Sequence, residues 1–361
     1  MRISTKLTLS FLLIVLLFGA MFVALGVKLI SGRFLEEAQE KVRNDLNSAR
    51  EIYLTHLNGV RELIRFTADR YTIRSALASG TIIKEYPKLK RVKEEEGLDI
   101  LIVTDTHGTV LVRVNNSALT GDNLAHIALV QQVLSLKQPL AATELMPASE
   151  LQKESPNVAA RARFKFMPTP MARPRGDTEE TSGMMLSAAA PILDLSNNFV
   201  GIVYGGVLLN RNYTIPDKIK QTVYQGMKYK GKDIGTATIF QDDLRISTNV
   251  LNEAGERAVG TRVAANVYHQ VVEKGMPWID RAFVVNNWYI TAYEPIKSLS
   301  GSVIGILYVG ILEEKYSDLR RQAILTFLGI TSLSMITAFI ISYLLSTNIS
   351  RSIRKLAHAS H

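Results

Sequence analysis

Two uncharged stretches decide what this chain can fold into. Leu7 to Val27 (LTLSFLLIVLLFGAMFVALGV) runs 21 residues without a charge, and Ala323 to Ser350 runs 28. A helix needs about 20 residues to cross a hydrocarbon core, so each run is long enough to span a membrane. The first follows Arg2 and Lys6, as a secretory signal would, but its apolar run exceeds the usual core of about 7 to 15 residues and reads as an uncleaved anchor. The two spans would loop out residues 31–322, 292 in all, on one side of the membrane. Basic residues flank both sides, with Arg2, Lys6, Arg351, Arg354 and Lys355 set against Lys28, Arg33, Arg320 and Arg321. The slight bias favours termini inside and the large segment outside.

Net charge follows the same division. The chain carries +9 over 361 residues, but all 33 acidic residues and 36 of the 42 basic ones lie within residues 31–322. The looped-out segment is therefore only +3, and the excess that would suggest nucleic acid brackets the spans instead. Cysteine is absent, which removes disulfides, thiolate zinc sites and cysteine nucleophiles. The six histidines (His56, His107, His126, His269, His358, His361) show no metal-ligand spacing, and His358 and His361 read as a surface pair on a helix. No Walker, G-x-S-x-G or G-x-G-x-x-G element stands in a fitting context. The expectation is a protein that is not an enzyme, with no cofactor, no metal and no nucleic-acid partner.

Beyond the first span, Val42, Leu46, Ala49, Tyr53, Leu57, Val60, Ile64, Thr67 and Tyr71 recur at an average interval of 3.6, the helical period, within a helical stretch from Arg33 to about Leu77. That face serves either the segment's own domain or a dimer seam. Asp99 to Val114 reads as a hairpin broken at Asp105 to Gly108, and a helix follows from about Leu124 to Leu136. Six of the eleven prolines then fall between Pro139 and Pro174, with Arg161, Arg163, Lys165, Arg173 and Arg175, in what reads as an irregular insertion with one strand around Ala162 to Phe166.

An internal repeat gives the strongest signal. Ala188 to Leu208 aligns without a gap on Ala292 to Leu312, with 10 identities in 21 positions at an offset of 104. The shared frame is A-x-x-P-I-x-x-L-S-x-x-x-x-G-I-x-Y-x-G-x-L. A weaker echo pairs Gly121, Leu124, Ala125, Gln131 and Val133 with Gly260, Val263, Ala264, Gln270 and Val272, and the strand Leu101 to Asp105 with Thr238 to Asp242. Two copies of one unit are implied, each a hairpin, a helix and a three-stranded antiparallel run.

These features resemble the double-Cache, PAS-like sensor region of a bacterial chemoreceptor or sensor histidine kinase. The resemblance rests on Gly260-Thr261-Arg262-Val263, Gly275, Trp278, the run Arg281 to Ile296 and Gly305 to Glu313. Asn348 to Leu356 (NISRSIRKL) is similar to the opening of a HAMP helix, with Ser352 where the family usually has proline. The resemblance implies an α+β fold with a long N-terminal stalk helix, two tandem Cache units each with a five-stranded antiparallel sheet, and two transmembrane helices. The implied order is a cytoplasmic N-terminus (1–6), a first span (7–30), the stalk (31–80) and a membrane-distal unit (81–220) with a proline-rich insertion (138–183). A membrane-proximal unit (221–322), a second span (323–346) and a HAMP start (347–361) follow. It further implies a homodimer in a bacterial inner membrane whose periplasmic part binds a small molecule, an organic anion among the candidates, on the sheet face turned away from the stalk. A membrane-anchored binding or assembly protein without signalling output is the alternative.

Candidate contacts follow from strand alternation. In Trp288 to Glu294, the face with Tyr289, Thr291 and Tyr293 is assigned to the ligand, and the face with Trp288, Ile290 and Ala292 to the helix-packed core. Ser187 and Ala189 hold the equivalent positions in the first copy. Arg281, read as the start of a neighbouring strand with Trp278 three residues before it, offers a guanidinium to a carboxylate or a salt bridge to Asp280 or Glu294. Arg163, with Lys165 two residues on, offers a second anion contact or a solvated basic loop. Asp242 and Asp243 read as turn residues.

Overall fold

The computed structural model describes residues 3–359. Met1, Arg2, Ser360 and His361 lie outside the described residues, as do the side chains of residues 353–359, which include His358 and the end of the HAMP-like sequence. In chain order the elements begin with α1 (Ile3–Ala68), α2 (Tyr71–Ala78), α3 (Tyr86–Glu95), β1 (Ile100–Thr104), β2 (Val110–Arg113), α4 (Ala128–Leu136) and β3 (Leu140–Met146). Next come α5 (Ala148–Glu154), α6 (Pro156–Ala162), a ribbon of β4 (Phe164–Lys165) with β5 (Glu179–Glu180), β6 (Gly183–Leu193), β7 (Phe199–Leu208) and α7 (Thr214–Tyr224). A ribbon of β8 (Lys228–Tyr229) with β9 (Lys232–Asp233) leads to β10 (Gly235–Gln241), β11 (Leu244–Thr248), α8 (Ala265–Tyr268), β12 (Trp278–Val284), β13 (Asn287–Lys297), β14 (Val303–Leu312) and α9 (Glu313–Ala359).

Two compact units result, one from the chain's ends (1–40 and 313–361) and one from Lys41–Leu312. In the first, the two helices are long and apolar enough to cross a membrane, with mean hydropathy reaching 2.7 in α1 and 2.2 in α9. The Phe22 and Phe327 rings stand 5.4 Å apart, and the Thr8 hydroxyl donates to Ser346 at 2.8 Å. Gly19 and Gly26 leave room for Met335 and Phe327 against the helix backbone, the small-residue device of helix pairs in lipid.

Within Lys41–Leu312 the two repeats are two five-stranded antiparallel sheets of one topology, β2-β1-β7-β6-β3 and β11-β10-β14-β13-β12. Their register matches residue for residue. Ser187↔Gly206 and Ala189↔Tyr204 in the first become Thr291↔Gly310 and Tyr293↔Tyr308 in the second, all at offset 104, and the bulge at Ile192/Leu193 recurs at Ile296/Lys297. The first strand corrects the sequence alignment by one residue. Ile102↔Tyr204 corresponds to Thr238↔Tyr308, with matching bulges at Val103/Thr104 and Ile239/Phe240, so Ile102 and not Leu101 is the equivalent of Thr238.

From Lys41 on, α1 buries the predicted face, Val42, Leu46, Ala49, Tyr53, Val60, Ile64 and Thr67, against this domain; Tyr71 is 67% exposed and lies past its end. Tyr53 Oη lies 2.6 Å from Thr143 Oγ1 in the first sheet, and Arg50 pairs with Glu294 in the second, its Nε donating at 2.8 Å. Ile64 lies against Gly205, where a Cβ would meet it at 2.8 Å. One face of both sheets thus belongs to the stalk. The opposite face of the first is covered by α4, α5 and α6, and that of the second by the segment from Val250 through α8 and the wide turn His269–Glu273.

The insertion proves smaller than expected and more ordered. Its first part, Leu140–Met146, is the edge strand β3, paired to β6 as β12 is to β13. What is inserted is the link between β3 and β6, residues 147–182, where the second copy has only residues 285–286. Helices α5 and α6 fill the first core through Leu151, Val158, Ala159 and Ala162. The rest straps onto the second sheet's cover: Met167 donates to the Gly260 carbonyl at 2.9 Å, Ala265 to that of Met171 at 2.8 Å, and Ala172 bridges Ala264. Gly260 sits at φ +85°, and a Cβ there would stand 3.1 Å from the Lys165 carbonyl, so glycine suits both the turn and the approach.

Candidate functional site

The face turned away from the stalk gathers some of the expected residues and rejects others. Tyr289 and Tyr293 are buried in the second core, and Thr291, on the same face of β13, is fully buried with its hydroxyl donating to the Asp280 carbonyl at 2.6 Å. Trp278, opposite Tyr293 in register, packs on that core, and its indole N–H is buried without a partner. Ser187 is likewise buried in the first unit.

Arg281 is not with them. It lies opposite Ile290, and cross-strand partners share a face, so its side chain points to the stalk side of the sheet. Its guanidinium stacks 4.0 Å over the Trp288 ring. The equivalent residue in the first copy is Thr143, which touches Tyr53 of α1. Two corrections follow. Arg281 starts no strand, being the fourth residue of β12, and Trp288 is no core residue, since it is 41% exposed and packs edge-on against Phe283. Glu294, considered as a partner of Arg281, serves Arg50 instead.

The insertion's basic residues are also engaged. Arg163, offered as an anion contact or a solvated basic loop, forms an exposed forked pair with Glu179 at 2.7–3.0 Å. Arg173 and Arg175 reach Asp242 and Asp243 at 2.9–3.2 Å, and Arg262 adds a third guanidinium to Asp243 at 2.6 Å. Asp243, wholly buried, is thus the anchor of the strap and more than a turn former.

In the first unit the inward polar groups are Arg113, paired with Glu154 and Asp122, and Glu144 with Tyr204 and Ser187. Glu144 lies between Ala142 and Met146 on the core face of β3; the Tyr204 hydroxyl donates to it at 3.3 Å and stands 3.3 Å from the Ser187 hydroxyl. Burial pushes the Glu144 carboxyl above the ordinary carboxylate range, against the opposing hydrogen bonds of Leu129, Tyr204 and Ser187. Burial, and then the Glu144 charge, raises the Tyr204 phenol well above its usual value. Glu144 also lines a cavity of about 310 Å³ with His126, Ile127, Met146, Glu150 and Leu299.

The second unit carries the opposite charge. Arg245 on β11 is buried where the first copy has Val110, facing Phe240, Tyr289, Tyr293 and Tyr308. Its carbon Cζ stands 5.2 Å over the Phe240 ring, and its Nε and one terminal nitrogen have no hydrogen-bond partner. Burial drives its pKa down. It also pushes the Tyr289 phenol up to about 12 and Tyr293 and Tyr308 higher, so all three remain neutral donors at physiological pH. Glu144, Tyr204, Tyr308 and Arg245 were absent from the candidates expected from sequence. Tyr204 and Tyr308 carried a signal, being the one aromatic kept in both copies of the repeat.

Among the described residues no group of three or more His, Asp or Glu side chains is placed to hold a metal. Comparison with known proteins matches residues 207–323 to the family model described as single Cache domain 3. No curated protein matches the chain. Among solved structures, the sensor domain of the Vibrio cholerae histidine kinase DctB is 11% identical over 77% of this chain and 98% of its own, with a TM-score of 0.42. The Vibrio cholerae LuxQ periplasmic domain is 13% identical over 77% and 99%, with a TM-score of 0.39. The ligand-binding domain of the Pseudomonas fluorescens chemoreceptor CtaA, solved with L-serine, is 14% identical over 77% and 99%, with a TM-score of 0.40. The family match covers the second repeat, β10 to β14, which has the Cache fold.

Proposed function

We propose that this chain is the ligand-sensing input of a transmembrane signal transducer of the chemoreceptor or histidine-kinase type. In this reading Lys41–Leu312 lies outside a bacterial inner membrane, works as a homodimer, and binds a small molecule between a sheet and its cover. The signal leaves through α9 to the HAMP-like sequence that begins at Asn348. The observation that carries the reading is the chain's continuity from the second unit's buried layer to the candidate span: β14 bears Tyr308 on that layer, and α9 begins at Glu313 directly after β14 ends at Leu312. A ligand can bias that helix only by its difference in affinity for two states, about 1–3 kcal/mol of coupling in typical cases.

The test joins the chain after Ser350 to a reporter kinase in cells and measures output across a ligand library, with binding to the full chain in nanodiscs measured in parallel. Output is expected to change with half-saturation near the measured Kd. A ligand that binds Lys41–Leu312 while leaving output flat would leave the chain as an anchored binding protein.

A further inference from the structure

We propose that the end of the second sheet where β14 passes into α9 docks on the anionic lipid headgroups of the membrane that α9 crosses; this goes beyond the sensing reading and needs only the candidate span. The repeat shows what this end lacks. At the corresponding end of the first sheet, Met184 lies against Gly305 of the second repeat, and Gln241 of that repeat donates to Ser182 at 2.7 Å and accepts from Asn210 at 3.3 Å. At the constant offset of 104 these first-repeat positions become Asn286, Trp288 and Glu314. Here α9, not another repeat, follows β14. Trp288 is 41% exposed and Phe283, edge-on to it at 5.5 Å, is 38% exposed. Their register equivalents in the first copy are Met184 and Leu145, so the aromatic pair belongs to the second copy alone.

The ribbon of β8 with β9 makes the same end basic. Lys228, Lys230 and Lys232 are exposed, and Lys232 donates to Asn287 at 2.9 Å, which sets the ribbon beside the turn between β12 and β13. The ribbon's acid, Asp233, pairs with Lys220, and on β12 Arg281 offsets Asp280. The stretch Glu313 to Gln322 carries three acids and three bases, so the ribbon lysines set the sign of this region. The uncharged run starts at Ala323, ten residues after Glu313, a rise of about 15 Å along a continuous helix. Headgroups occupy roughly 5–8 Å of that on each side of a bilayer, and lysine and tryptophan side chains reach across the remainder. Tryptophan settles at headgroup level, and clustered lysines are drawn to anionic lipid. The same lysines argue against a protein partner, because lysine is depleted from interface cores.

The chain has two tryptophans, so Trp278→Phe leaves Trp288 as the sole indole and Trp288→Phe leaves Trp278. Each full chain is placed in nanodiscs of phosphatidylcholine, with or without phosphatidylglycerol, that carry a nitroxide on the lipid headgroup, and quenching of the indole is read. Stronger quenching of Trp288 than of Trp278 is expected in the anionic discs, with the excess lost in neutral discs and at high salt. Replacing Lys228, Lys230 and Lys232 together by glutamine is expected to lower the ratio of docked to free end about a hundredfold, at about fivefold per lysine, and to bring quenching to the neutral-disc level. Should Trp278→Phe fail to fold, the difference between the parent chain and Trp288→Phe reports the same indole. Quenching of Trp288 no stronger than that of Trp278, or quenching indifferent to lipid charge, salt and the three lysines, would overturn the docking. Trp288 shielded from both the nitroxide and aqueous acrylamide would do so too, and would assign this end to a protein partner such as a second copy of the chain. A chain that does not enter the discs overturns the span and the docking together. The measurement uses no ligand, so loss of docking leaves the sensing reading standing, and a docked end with a flat reporter kinase leaves the docking standing while the sensing reading falls.

Discussion

Glu144 and Arg245 occupy the same layer of two copies of one unit and carry opposite charges, so burial acts on them with opposite sign. The fold raises the Glu144 pKa, which means it favours the protonated carboxyl. That contribution to stability is fully present below the unfolded value, the ordinary 4.5, and is lost as pH rises through the folded one. Glu144→Gln keeps an acceptor for Tyr204 without the charge. It is expected to be more stable than the parent at pH 7 by on the order of 1 kcal/mol, with the difference vanishing near pH 4. Thermal unfolding of both chains across that range checks it, and a difference independent of pH would assign the effect to packing instead. Residue identity was readable at Tyr289, Thr291 and Tyr293, because alternation within one strand needs no partner. Arg281 was misplaced because its face depends on the β12–β13 register. The turn that sets this register places Val285 at φ +58°, a conformation β-branched residues rarely adopt and no turn rule selects.

Among the elements, the strap is the clearest link between the two repeats. Three guanidiniums converge on buried Asp243, and the same segment hydrogen-bonds to the cover of the second core at Gly260 and Ala265. Asp243→Asn removes the charge and leaves those guanidiniums facing a neutral amide, at an expected cost on the order of 3 kcal/mol. Hydrogen exchange should then accelerate at the Met167 and Ala265 amides while the amides of β6 and β7 stay protected. Unchanged exchange at Met167 and Ala265 would show that the strap is held by its backbone bonds alone. The repeat made β6, β7, β13 and β14 legible at a fixed offset, because their shared sequence frame has no insertion. The strap was not legible, since a proline-rich stretch specifies neither its path nor the acid that receives its arginines.

At the scale of the whole chain, the reading places Lys41–Leu312 outside and both helix termini inside. Absence of native cysteine makes this directly testable. A single cysteine at exposed Ser300, in the turn between β13 and β14, should react with a membrane-impermeant maleimide on intact cells, whereas one at exposed Thr5 should react only after permeabilisation. Labelling of both from outside would reverse the proposed topology. The sequence by itself determined the two apolar helices, the stalk's buried face, the repeated sheet and the parity of each strand, because these depend on local period and composition. Only the tertiary structure decided which strands share a face, which acids take up the insertion's arginines, and which polar groups are left facing a buried layer. Those properties arise from contacts between residues far apart in the chain: Glu144 is 60 positions from Tyr204 and Arg173 is 70 from Asp243, and no local pattern encodes such pairings.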